Sequence, residues 1–220
     1  MISLDTFWRS TIGKKFVMAI TGIMMIGFLI THMLVNLLVF DEAWKINAYA
    51  AFLKNTDELL WIARLVLLAA VLLHVIVVVQ LTRLDYAARP QKYVHRLRPQ
   101  GSTIASRTMR IGGLALLLFI PLHLLHFTTG TIQPAAFSPT NVYANLVGSF
   151  RIWWVTLLYS VAMVALASHV YHGAWASIRT LGLGRPSRKP LQHSASTYLA
   201  LALLAGFTAV PVSIYLGWVR

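Results

Sequence analysis

The sequence predicts an all-α integral membrane protein with five transmembrane helices, and three observations carry that prediction. Apolar residues make up 58% of the chain and charged residues 11%, a balance outside the range of water-soluble domains. Long stretches carry no charge: 16–40, 65–82, 111–150, 152–178 and 190–219. The cations collect in the segments between those stretches.

A span needs about 20 apolar residues at a rise of about 1.5 Å each. The expected helices are therefore 16–40, 61–82, 109–130, 152–178 and 196–219, in one domain covering residues 1–220. The stretch 111–150 is too polar after Thr128 for a second span, since Thr-Thr-Gly, two prolines and two asparagines follow. The first span is not read as a cleavable signal. Its apolar core is too long, and an amphipathic segment with Leu4, Phe7 and Trp8 precedes it.

Orientation follows from the cations. Arg83, Arg89, Lys92, Arg96, Arg98 and Arg107 crowd the loop after the second span, and Arg179, Arg185, Arg188 and Lys189 the loop after the fourth. The positive-inside rule puts both loops in the cytoplasm. The loop 41–60 is net acidic and 131–150 holds no charge, so both belong outside. The N-terminus is then inside and the C-terminus outside. The net charge of +13 is thus mainly a topology signal. No basic-aromatic pattern accompanies it, so nucleic acid is not an expected partner; anionic lipid headgroups or a cytoplasmic protein are.

With no cysteine, the chain can hold no thiolate-bound iron–sulfur cluster, no thioether-linked haem and no disulfide. Redox chemistry would have to use histidine or methionine. His32, His74, His123 and His169 each sit in a different span, about two thirds of the way along it. Because the spans alternate in direction, His32 and His123 share a depth in the outer half. His74 and His169 share one in the inner half. An ionisable ring in hydrocarbon is costly, and four at two paired depths fit bis-imidazole ligation of two haems b stacked across the bilayer. His126 and His172 lie one turn beyond His123 and His169 and compete with them as ligands on geometry alone. The bland alternative, a haem-free transporter or structural anchor, would use the rings for packing or as a proton relay. A relay usually recruits carboxylates, and none lies within a span.

The run Ser10-Thr-Ile-Gly-Lys-Lys15, Thr21-Gly22 and Thr31-His32-Met-Leu-Val-Asn36 closely resembles the cytochrome b subunit of succinate:quinone oxidoreductases, in the class with one five-helix anchor and two haems. The resemblance covers essentially the whole chain. It implies a di-haem four-helix core plus a fifth helix, with His32 and His123 on the distal haem and His74 and His169 on the proximal one. The family's third-helix ligand follows an Arg by thirteen residues and a Gly by ten, here Arg110 and Gly113, which favours His123 over His126. Its fourth-helix ligand precedes a Gly by four and an aromatic residue by six, here Gly173 and Trp175, which favours His169 over His172. Gly22 and Gly113 each stand ten residues before a ligand. Val78, four after His74, departs from the glycine often found there. Ala167 replaces a glutamate that some relatives use for proton transfer, so that pathway is not carried over.

The resemblance further implies an electron-carrying subunit with no succinate-oxidising site of its own. Its partners would be a flavoprotein subunit, an iron–sulfur subunit, membrane lipid and a quinone, with menaquinone the expected type, and copies of the complex can associate. The location would be a bacterial or archaeal cell membrane, multi-pass, with the catalytic subunits on the cytoplasmic side. The same anchor would serve a quinol:fumarate reductase. Candidate quinone residues are Asp57, Glu58 and His126 at the outer end, the carboxylates having a solvated helix start as their plainer role. Arg83, Asp85 and His95 would line an inner site. Arg83, Arg107 and Arg179 are candidates for the propionates, and Thr31 and Ser168 for hydrogen bonds to the ligands.

Overall fold

A computed structural model describes residues 3–88, 103–184 and 189–220. Arg89, Lys92, His95, Arg96, Arg98, Arg185 and Arg188, all invoked above, lie outside the described residues. The described chain is helical without strands, and five of its helices are long and apolar enough to cross a membrane: Thr11–Phe40, Asp57–Ala87, Ile104–Thr128, Trp153–Thr180 and Leu191–Tyr215. Helices suit that solvent because each satisfies its own backbone hydrogen bonds where water is absent.

Eight α-helices follow in order. They are α1 (Leu4–Arg9), α2 (Thr11–Asn36), α3 (Ala43–Asn55), α4 (Asp57–Ala87), α5 (Ile104–His123), α6 (Val142–Phe150), α7 (Trp153–Thr180) and α8 (Lys189–Tyr215). A 3-10 turn, Leu37–Phe40, extends α2, and a π-helical turn, Leu124–Thr128, extends α5. The spans match the hydropathy reading, and α4 runs several residues beyond each end of 61–82. Three helices were not anticipated. The segments 41–60 and 131–150, read as loops, contain α3 and α6, and α1 is a short helix of its own. α3 and α6, at 13 and 9 residues, are too short to register in a search for spans of about 20 residues. What starts α6 is a local signal, the Asn141 side chain accepting from the Ala144 N–H at 3.0 Å.

The α1–α2 corner gives the Ser10–Lys15 run a physical meaning. Ser10 ends α1 by donating its hydroxyl to the Phe7 carbonyl at 2.8 Å and starts α2 by accepting from the Gly13 N–H at 2.9 Å. The Lys14 ammonium is buried and donates to the Trp8 and Arg9 carbonyls at 2.7 and 3.1 Å, where the C-terminus of α1 concentrates negative charge. A Cβ on residue 13 would run into the Phe7 carbonyl, so this corner requires glycine.

Packing is uneven along the bundle. A core of Val39, Ile46, Leu146, Phe150, Tyr159 and Ile214, with neighbours, closes the end where α3 and α6 lie, here called the capped end. Asn47 joins those two helices by accepting from the Tyr143 N–H at 3.1 Å, and Lys54 donates to the Pro139 carbonyl. Elsewhere few side chains are buried: α4 buries only Ala70 and Val77, and α5 none. Ile23, Leu68, Leu72, Leu118 and Leu157 are exposed along the spans, which suits a hydrocarbon solvent. Among the described residues α4 packs on α2, α2 on α7 and α7 on α5, while α8 packs on α7 and α2. The pairs α2/α5 and α4/α7 are not among those in close contact.

Gly13→Ala is expected to lower stability by about 1–3 kcal/mol through the forced shift at the corner. Gly27→Ala, where a Cβ meets nothing within 4 Å, should stay within about 0.5 kcal/mol of the parent. Thermal denaturation of the detergent-solubilised protein compares them, and equal melting of the two variants would contradict the steric account.

Candidate functional site

Helix directions and contacts bring the four histidines together in two pairs. The rings of His32 on α2 and His123 on α5 have centroids 5.8 Å apart at an interplanar angle of 82°. Those of His74 on α4 and His169 on α7 are 6.4 Å apart at 57°. All four are half-buried. Each pair reaches between helices that are not close neighbours, so the rings are what bring those helices together at these depths.

An internal repeat builds the two pairs. Gly22, Phe28 and His32 on α2 have the same spacing as Gly113, Phe119 and His123 on α5. Both phenylalanines lie against the histidine one turn later, with centroids 5.2 and 5.8 Å apart and interplanar angles of 14° and 25°. A Cβ on Gly22 would stand 3.6 Å from His74 Cε1, and one on Gly113 would stand 3.5 Å from His169 Cε1. These glycines therefore shoulder the second pair rather than making room beside the histidines ten residues along their own helices. The repeat breaks one residue earlier, at Thr21 and Gly112. Thr21 Oγ1 lies 3.1 Å from His74 Nδ1, whereas His169 Nδ1 is buried with no hydrogen-bond partner among the described residues.

Each pair brings two imidazoles to a separation that one metal centre could bridge. An imidazole nitrogen binds a metal at about 2.0–2.1 Å. Two rings on opposite sides of one metal then have centroids roughly 6 Å apart, since each centroid lies about 1 Å behind its nitrogen. Among the described residues no group of three or more His, Cys, Asp or Glu could hold a metal ion. Two imidazoles suffice only where the remaining ligands arrive with the metal, as porphyrin nitrogens do. A cleft of about 280 Å³ between α5 and α7, lined by Gly112, Ala115, Ala165 and Ser168, reaches His169. A Cβ on Gly173, one turn on, would meet nothing within 4 Å.

His126 has a different setting. The π-helical turn after His123 carries it into the capped core, 3% exposed, with Nδ1 2.8 Å from the Tyr159 hydroxyl and Nε2 3.1 Å from Ser149 Oγ. Gln133 donates to that same Ser149 oxygen at 2.7 Å, and the Tyr159 hydroxyl lies 3.4 Å from His123 Nδ1. Both nitrogens of His126 are therefore engaged by protein. Asp57 and Glu58 are exposed in the first turn of α4.

His172 lines a second cleft of about 290 Å³ at the other end of the bundle with Thr103, Ser106, Tyr171, Trp175, Arg179 and His193. The Arg179 guanidinium stacks on the Trp175 ring at 4.8 Å, and Arg83 and Arg107 are exposed. Asp85 pairs with Arg110 at 2.8 Å and links α4 to α5. Thr31 donates to the Phe28 carbonyl at 2.9 Å within its own helix. The residues that do reach site histidines, Thr21 and Tyr159, were not identified from sequence. Each stands among several polar residues of its span, so residue type alone did not single it out.

Comparison of the chain with protein-family models, characterised proteins and solved structures gave no match.

His126→Ala leaves the Tyr159 and Ser149 hydroxyls short of a partner in a packed core. A stability loss of about 1–3 kcal/mol is expected. Asp57→Asn and Glu58→Gln, on an exposed helix start, should stay within about 0.5 kcal/mol of the parent. Thermal denaturation reads all three, and an unchanged midpoint for His126→Ala would show that its hydrogen bonds do not support the core.

Proposed function

We propose that this chain is the cytochrome b membrane anchor of a succinate:quinone oxidoreductase. It would hold two haems b and relay electrons from an iron–sulfur subunit, itself served by a flavoprotein, to a membrane quinone, menaquinone in the expected case. The observation that carries the reading is the pair of histidine couples, with centroids 5.8 and 6.4 Å apart, on helices that do not otherwise pack closely. The motif resemblance in the first span supports the same conclusion independently.

When bound, a haem held by two histidines would carry one electron at a time and would not bind oxygen. The chain's own residues do the rest. His32 and His123 would hold one group near the capped end, and His74 and His169 the other toward the opposite end. Phe28 and Phe119 restrict two of the rings by contact, and Gly22 and Gly113 admit the other two. The basic end, with Lys15, Arg107 and Arg179, would face the cytoplasm and dock the partner subunits. No residue of this chain would act on succinate.

Purified chain or complex should contain two non-covalent haems b per polypeptide by pyridine haemochrome assay. Replacing His32 or His123 should remove about half the haem, and replacing His74 or His169 the other, spectrally distinct half. One haem or none in the parent would rule the reading out, as would loss caused by His126→Ala or His172→Ala while the four named histidines proved dispensable.

The cysteine-free chain allows a clean test of orientation. Thr140→Cys should react with a membrane-impermeant maleimide on intact cells, and Arg179→Cys only after permeabilisation. The reverse pattern would invert the topology and with it the side on which partners dock.

A further inference from the structure

The two halves of the internal repeat are not chemically equivalent. Thr21 is 5% exposed, and its hydroxyl lies 2.8 Å from the Val17 carbonyl and 3.1 Å from the Met18 carbonyl one turn back. A hydroxyl has one proton to give, and the helix carbonyls take it. The 3.1 Å contact with His74 Nδ1 must then run the other way, the ring N–H donating to the threonine oxygen. That fixes the neutral tautomer of His74 with its proton on Nδ1 and the lone pair on Nε2. On the matching helix Gly112 offers no side chain, and His169 Nδ1 is buried with no hydrogen-bond partner among the described residues. Gly22 and Gly113 approach the two rings almost identically, so the difference lies in the acceptors at Nδ1, the Thr21 hydroxyl with the Met18 carbonyl behind it, which His169 lacks among the described residues.

We propose that Thr21 is a positioning residue that makes the two axial ligands of one haem unequal. It would hold the His74 ring, present Nε2 to the iron and raise the basicity of that nitrogen, while His169 has no such support. The inference rests on the haem reading above. A ligand N–H given to an acceptor makes the imidazole a stronger donor, which favours ferric over ferrous iron and lowers the potential. Only the haem of the His74/His169 pair is affected, because the His32/His123 pair lies about ten residues, roughly 15 Å, further along the helices.

The test uses the full-length holoprotein and three variants, read by haem count, by spectroelectrochemical titration and by the low-spin electron paramagnetic resonance signals. Thr21→Val keeps the shape and removes the oxygen. It should retain both haems, shift one midpoint potential upward, move that haem's low-spin signal and leave the other haem unchanged. Thr21→Ser should restore the parent values. Gly112→Ser adds a hydroxyl where the repeat lacks one and should shift the same haem downward. It also decides the matter if Thr21→Val costs the protein its haem or its fold. Unchanged potentials and signals in Thr21→Val, or a Ser variant that behaves like Val, would overturn the proposal; so would Gly112→Ser without effect on that haem. A parent chain that contains no haem would instead overturn the functional reading itself.

Discussion

An imidazole inside hydrocarbon has no water to bond with, and the arrangement of this bundle follows from how each such ring is accommodated. Burying an unpaired polar group costs several kcal/mol in an apolar medium. His126 meets the demand entirely with protein, through Tyr159 and Ser149. His74 meets half of it through Thr21. His169 keeps an Nδ1 that nothing described satisfies, and its ring centroid lies 6.4 Å from that of His74. The sequence treats these rings alike, as histidines in apolar runs. The structure separates one whose two nitrogens both bond to protein from others that leave a nitrogen unpartnered among the described residues.

That separation also explains why packing differs along the bundle. Lipid tails are as apolar as leucine, so apolar contact alone gives little reason for helices to associate, and shape, aromatic contacts and buried hydrogen bonds must do more. The capped end supplies them: Phe119, Phe127, Phe150 and Tyr159 meet edge to face or tilted within 5.0–5.7 Å, and the His126 network lies among them. Along the rest of the bundle α4 and α5 contribute almost no buried residue. Their contribution is one histidine each, held opposite a partner, and the exposed Asp85–Arg110 pair that links them.

The parts of this architecture that were legible in the sequence are those governed by a one-dimensional rule. Span positions follow from hydropathy. The meeting of His32 with His123 and of His74 with His169 follows from depth in antiparallel spans, since two rings at different depths cannot touch. Ends were less legible: α4 continues past its apolar run, and Asp57 and Glu58 in its first turn complement the helix dipole there. α3 and α6 were missed because they are too short to register as spans. Least legible were contacts between distant residues. Thr21 touches a ring 53 positions away, and the place of His126 depends on a widened π turn that regular helical spacing does not foresee.

The repeat gives α2 and α5 a double duty that a simple bundle would not need. Each carries a ring for one pair and, ten residues earlier, a glycine pressed against a ring of the other. Ten residues of helix cover about 15 Å, half of a hydrocarbon core of about 30 Å. One rigid rod thus sets the spacing of both pairs, and neither helix can slide or rotate to improve one pair without disturbing the other. Phe28 and Phe119 tighten this coupling, because each occupies the turn between glycine and histidine and lies against the ring beyond. Such a frame holds the two histidine pairs at a fixed separation along the bundle.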